Sequence, residues 1–170
     1  MERNKFLSLA GAGFMGISFA PLISEARQNQ RPEPYKQKLT KDFVAAGHTD
    51  LPGVKELLEE YPNLLNCTWD WGGGDFETAI GGAGHMGNIE IAEYLISMGA
   101  RTNIFVLTML GKTELVTPIL EVYPSLINAK GPHGLTMLHH AEKGGEKARE
   151  LYDYLVSKGL TSKKVDLHKK

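Results

Sequence analysis

The sequence predicts an all-α solenoid of about four helix-turn-helix repeats joined by short finger loops. The chain reads G-L-T-M-L-H-H-A from Gly134 to Ala141, and an echo, T-A-I-G-G-A-G, runs from Thr78 to Gly84. Self-similarity of this kind marks a stacked repeat protein. Four stretches also carry apolar residues at helical spacing, each about two to three turns long. Helices so short do not persist alone in water, so neighbours must bury one another's apolar stripes.

Residues 1–26 read as an export signal. Arg3 and Lys5 form a charged start, Phe6 to Ile23 is apolar or small, and Ser24-Glu25-Ala26 presents small residues to a signal peptidase. The segment R-N-K-F-L is similar to a twin-arginine signal with Asn4 in place of the second arginine, so Sec and twin-arginine routes both stay open. The rival is an uncleaved anchor, which Ser8, Ala10, Gly11, Ala12, Gly13 and Gly16 disfavour by weakening membrane affinity. The expectation is an exported protein, periplasmic or secreted, with no stable membrane span after cleavage. Residues 27–37, R-Q-N-Q-R-P-E-P-Y-K-Q, are polar and proline-punctuated and read as a linker.

Residues 38–160 hold the repeats. In the first, Ala45-Ala46-Gly47-His48 leads to a helix striped by Val54, Leu57, Leu58 and Tyr61. In the second, Ala83-Gly84-His85-Met86 leads to Ile89, Ala92, Leu95 and Ile96. The third places Leu107 to Gly111 before Val116, Ile119, Leu120 and Tyr123. The fourth places Ala141-Glu142 before Leu151, Tyr154 and Leu155. Overlaid at positions 45, 83, 107 and 141, the repeats are 38, 24 and 34 residues apart.

Gly99 and Gly159 stand where a helix must stop, because glycine accepts the left-handed terminating conformation. Pro62 and Pro124 end the helices of repeats one and three. The short step leaves only A-R-T-N-I-F-V between repeats two and three, and Pro118 is expected to kink the helix it lies in. Residues 161–170, with Lys163, Lys164, Lys169 and Lys170, read as a basic, solvated tail.

These phrases resemble the ankyrin repeat, whose core is T-P-L-H-x-A-A-x-x-G followed by an amphipathic helix and G-A-x-x-N. The likeness is fullest in H-M-G-N-I-E-I-A-E-Y-L-I-S-M-G-A-R-T-N and in G-L-T-M-L-H-H-A, and it covers about Lys38 to Leu160. A narrower likeness, through D-W-G-G-G-D-F-E-T-A-I and G-P-H-G-L-T-M-L-H-H-A, is to a group of small bacterial ankyrin proteins and carries no activity with it. The resemblance implies an ankyrin-repeat solenoid that binds other molecules through its fingers and the exposed faces of its first helices. It also places His139 at the ankyrin histidine, whose imidazole bridges backbone groups between loops.

Composition narrows the function. A net charge of -1 and a pI of about 6.6 give no global field for nucleic acid. The single cysteine, Cys67, excludes an internal disulfide framework and any multi-cysteine metal site. No Ser-centred elbow, P-loop or dinucleotide fingerprint occurs, and Gly82, Gly84 and Gly87 match the last only by chance, since a helix should surround them.

The least generic stretch is the loop from Thr68 to Phe76, where Trp69 and Trp71 stand beside Asp70 and Asp75. Aromatic faces next to carboxylates suit a sugar, a cation or a basic peptide. The same tryptophans would also serve to fill the gap between repeats, with Gly72 to Gly74 making the turn. Trp71, which directly precedes that turn, is expected to be the more exposed. A second finger, Asn128 to Gly134, presents Lys130 and His133, and Arg101 lies in the short link. No spacing among the six histidines demands a metal, so neither metal nor cofactor is expected.

The function expected is a non-catalytic scaffold, a monomer, that meets a protein or peptide partner through Trp69, Asp70, Trp71, Asp75, Arg101, Lys130 and His133. The alternative is carbohydrate or small-molecule binding at the Trp69–Asp75 loop. A third reading is a hydrolase using Asp70, Asp75 and a histidine such as His85 or His133.

Overall fold

The computed structural model describes residues 32–169. The export signal at residues 1–26 and residues 27–31 of the linker lie outside the described residues.

The chain is predominantly helical. Helices come in consecutive pairs: α1 (Gln37–Thr49) with α2 (Leu51–Glu60), and α3 (Ala79–Met86) with α4 (Ile89–Ser97). The pairs α5 (Ile104–Met109) with α6 (Thr113–Val122) and α7 (Met137–Gly144) with α8 (Arg149–Ser157) follow. The first members form a row in which α1 packs on α3, α3 on α5 and α5 on α7. Each second member packs on its own partner. The first and second pairs are joined by one antiparallel hairpin, β1 (Thr68–Asp70) with β2 (Phe76–Thr78), in which Trp69 faces Glu77.

Local chemistry explains where the helices start and stop. Asp50, Thr78, Asn88 and Asn103 each accept a backbone N–H of the first turn of α2, α3, α4 and α5. Such caps contribute about 1 kcal/mol each. At the end of α4 the Ala100 and Gly99 N–H groups bond Leu95 O and Ile96 O, and the Leu160 and Gly159 groups repeat this after α8. Pro118 lies exposed within α6, which nevertheless runs on to Val122.

The row packs closely because its contact residues are small. A Cβ on Gly47 of α1 would come within 2.4 Å of the Ala79 carbonyl oxygen of α3, so only glycine permits this approach. The paired helices bury Val54, Leu58, Ile91 and Leu95 with Phe43 and Ile80 in one cluster, and Val116, Leu120, Leu151 and Leu155 with Met137 in another. Two residues leave the expected stripes. Ile96 is exposed, because Ile91 and Leu95 together occupy the inward face of α4. Tyr123 is exposed because α6 ends at Val122 and its own φ of -125° takes it out of helical register.

The C-terminal segment folds back on the second finger. Leu135 pairs with Lys164, the Val165 N–H bonds Gly134 O, and the Thr136 hydroxyl donates to Ser162 O at 2.6 Å. The side chains of Lys163, Lys164 and Lys169 stay exposed above this pairing. No helix among the described residues is long and apolar enough to cross a membrane.

Candidate metal centre

Four side chains from four separate places converge where the hairpin meets the row of first helices. His48 comes from the end of α1, Glu77 from β2, His85 from the last turn of α3, and His133 from the second finger. One donor atom of each lies within 4.8 Å of all the others. The Glu77 side chain is fully buried, and His48 Nε2 and His133 Nε2 lie 3.3 and 3.5 Å from its Oε2. His85 Nε2 lies 3.0 Å from Oε1, yet neither of these two buried atoms has a hydrogen-bond partner, because the approach is not aligned for N–H···O. The three imidazoles meet edge to face, His85 with His48 at 4.8 Å and with His133 at 5.2 Å between ring centres.

The neighbours fix how these rings present themselves. His48 Nδ1 faces the carbonyl oxygens of Val44 and Ala45, each at 3.1 Å, and carbonyls only accept. His133 Nδ1 faces Asp75 Oδ2 at 2.7 Å, while the His133 backbone N–H donates to Asp75 Oδ1 at 2.7 Å. Both rings therefore carry their proton on Nδ1 and turn Nε2 toward Glu77. Trp71 Nε1–H donates to Glu77 Oε2 at 2.7 Å and orients the carboxylate. Burial opposes the ionisation of Glu77, but His48 and His85 outweigh it and hold the carboxyl at about 2. His48 is raised above its ordinary value, chiefly by its contact with Glu77 against the opposing effect of burial.

The hairpin turn that delivers Trp71 and Asp75 depends on three successive glycines. Gly72, Gly73 and Gly74 all have positive φ, at 136°, 65° and 90°. The Asp70 carboxylate accepts the N–H groups of Gly72 and Gly74, so this acid is committed to the turn. His133 itself sits at φ 59°, the one described non-glycine residue with positive φ. Such a conformation persists only where its surroundings hold it, and Asp75 supplies two bonds that do so.

Of the seven residues expected to bind a partner, the structure brings Trp71, Asp75 and His133 into this centre and disperses the rest. Trp69 is half-buried, with Lys41 Nζ 5.9 Å from its ring centre. Trp71 is half-buried too, with its N–H drawn inward to Glu77. Asp70, Arg101 and Lys130 are exposed, and Lys130 Nζ donates to Asp166 O at 3.2 Å.

Sequence reasoning missed Glu77, took His48 only as a repeat position matching that of His85, and gave His85 a chemical role only in the hydrolase reading. The recurring Ala-Gly-His at Ala46-Gly47-His48 and Ala83-Gly84-His85 was the available signal, placing two imidazoles at equivalent ends of packed helices. His139 is separate from the centre, donating Nε2–H to His85 O at 2.9 Å. Cys67 is half-buried, and burial pushes its thiol up to about 11, far from a reactive thiolate. No protein-family model and no curated protein matches the chain.

Proposed function

We propose that this protein is an exported, non-catalytic scaffold of the ankyrin-repeat type that binds a protein or peptide partner along its finger edge. The observation that carries this reading is the row of first helices, each packed on the next and each backed by its own second helix. Repeats that cannot bury their apolar faces alone are stabilised by this arrangement, and it leaves the connecting loops free for recognition. The His139 bond to His85 O, reaching from one pair to another, fits the bridging role that the ankyrin resemblance gives this histidine. On the fingers Phe76 is 61% exposed, with Asp70 and Lys130 also open to solvent. A central aromatic beside charges of both signs is a common form of interface anchor.

The test is capture from an envelope extract by the wild-type protein and by Phe76→Ser and Lys130→Glu variants of unchanged melting temperature. A protein retained at stoichiometric level by the wild type and lost with both variants supports the reading. Equal capture by all three, or none by the wild type, overturns it.

A second reading, binding of a small ligand at the Trp71–Asp75 loop, is favoured by the meeting of Trp71, Asp75 and His133 around Glu77. The chemistry of that centre points to a cation more than to a sugar, because the inward-facing atoms are imidazole nitrogens and carboxylate oxygens.

A further inference from the structure

We infer that His48, Glu77, His85 and His133 form a binding site for one divalent transition-metal ion of the zinc type, independent of whatever partner the fingers take. The argument begins with where the protons are. His48 and His133 each commit Nδ1–H to an acceptor, so in their neutral forms each turns an Nε2 lone pair toward Glu77. A lone pair facing a carboxylate oxygen is repulsive unless something positive lies between them. Protons on all three rings would place three cations around the two carboxylates of Glu77 and Asp75 in a site where Glu77 is fully buried. Concentrating like charge in a low-dielectric site is costly. A single metal ion satisfies the same lone pairs together.

The second line of argument is the pair of orphaned atoms. Glu77 Oε1 and His85 Nε2 are buried and aimed at one another without a hydrogen bond, and their side chains are 0% and 9% exposed. Buried polar atoms are nearly always satisfied, and those that are not mark strain or an unseen ligand.

The donor set is three imidazole nitrogens and one carboxylate oxygen, which suits Zn²⁺ and its borderline neighbours over calcium or magnesium. Zinc bonds of about 2.0–2.1 Å in a tetrahedron set ligand atoms about 3.3 Å apart. Glu77 Oε2 lies 3.3 and 3.5 Å from His48 and His133 Nε2, close to that value, while His85 Nε2 lies 3.0 Å from the other oxygen, Oε1. The donor atoms lie within 4.8 Å of one another, so binding would require His48 and His133, the two partly exposed rings, to move inward.

Outer partners are in place as well. Asp75 orients His133 in the carboxylate–histidine–metal manner, backbone carbonyls orient His48, and Trp71 orients Glu77. An open cleft of about 690 Å³, whose lining includes Asp75, His133, Lys164, Asp166 and His168, reaches His133 from solvent. With four protein ligands the site is closed, so the ion would clamp α1, α3 and both fingers together.

The experiment is a Co²⁺ and Zn²⁺ titration of the full chain, purified without a histidine tag and stripped with chelator. Expected are one ion per chain, the strong visible absorption of four-coordinate Co²⁺ bleached by Zn²⁺, and a melting temperature that climbs with free zinc. His133→Ala, a loop change, and Glu77→Gln should each weaken binding by a hundredfold or more, since even outer-partner losses cost tenfold to a hundredfold. His168→Ala, outside the donor set, should leave affinity unchanged. Absence of stoichiometric uptake by the wild type overturns the inference whether or not the variants fold. So does equal affinity in His133→Ala and Glu77→Gln, which would place the ion elsewhere.

Discussion

The Asp75 carboxylate takes both the backbone N–H and the imidazole Nδ1–H of His133, each at 2.7 Å, and so ties the first finger to the second. The two residues are 58 positions apart in sequence. Charge-assisted bonds of this kind contribute roughly 1.5–3 kcal/mol each when half-buried and well aligned. One carboxylate here sets a backbone conformation, a ring orientation and a tautomer at once.

Asp75→Asn should therefore change the tautomer of His133. An amide offers one acceptor and one donor, whereas His133 presents two donors, and its backbone N–H cannot change role. The imidazole can, so its proton should move from Nδ1 to Nε2. Nitrogen chemical shifts of the ring in metal-free protein read this directly. Wild type should report Nδ1–H and the variant Nε2–H, and an identical tautomer in both would refute the clamp described here. The proton on Nε2 would also block metal ligation, so zinc affinity should fall with it.

Leu95 tests the stacking of the helix pairs. It is fully buried on α4, in the cluster that Val54, Leu58, Ile80 and Ile91 also enter. Leu95→Ala should cost about 2–5 kcal/mol, as truncations of core leucines do. A small domain has about 5–15 kcal/mol in total, so the melting temperature should fall steeply. Ile96→Ala, one residue along but exposed, should change little. If Leu95→Ala and Ile96→Ala melt alike, the register of α4 is wrong.

These two residues also show what periodicity reveals and where it stops. Apolar spacing placed Leu95 inward because a helix of known pitch must bury one face. It placed Ile96 there as well, since adjacent apolar residues look alike until a neighbour decides which one is covered. Turn chemistry was just as readable, from the glycines at 72–74 to the prolines that follow α2 and α6.

The centre was not readable in that way. His48, Glu77, His85 and His133 belong to no local motif, and they meet only because α1 packs on α3 and because Asp75 draws the second finger across. Glu77 was hidden most completely. An acid in a three-residue strand looks solvated, and nothing in D-F-E-T says which of its side chains points inward.

His140 gives the chain an acid-side limit that does not involve the centre's own ligands. It is 1% exposed, its Nδ1–H is given to Thr136 O at 2.8 Å, and Phe105 lies against its ring. Burial pushes its pKa down to about 4, so the folded chain holds it neutral where the unfolded chain would protonate it. Between its ordinary value of 6.5 and about 4, the unfolded state binds the extra proton. Stability must then fall as pH falls through that window, with the loss complete below it. Two neighbours act elsewhere on the scale. Glu77, held at about 2, loses its contribution only as pH falls below the ordinary carboxylate value. His48, raised above its ordinary value, contributes fully below 6.5 and loses that contribution as pH rises through its folded value. Between about pH 7 and pH 5, in chelator, the His140 effect should amount to roughly 2 kcal/mol. His140→Asn keeps a donor near Nδ1 and removes the titration, so its denaturant midpoint should vary less with pH over this range. Parallel pH profiles for wild type and variant would mean that His140 is not held neutral by the fold.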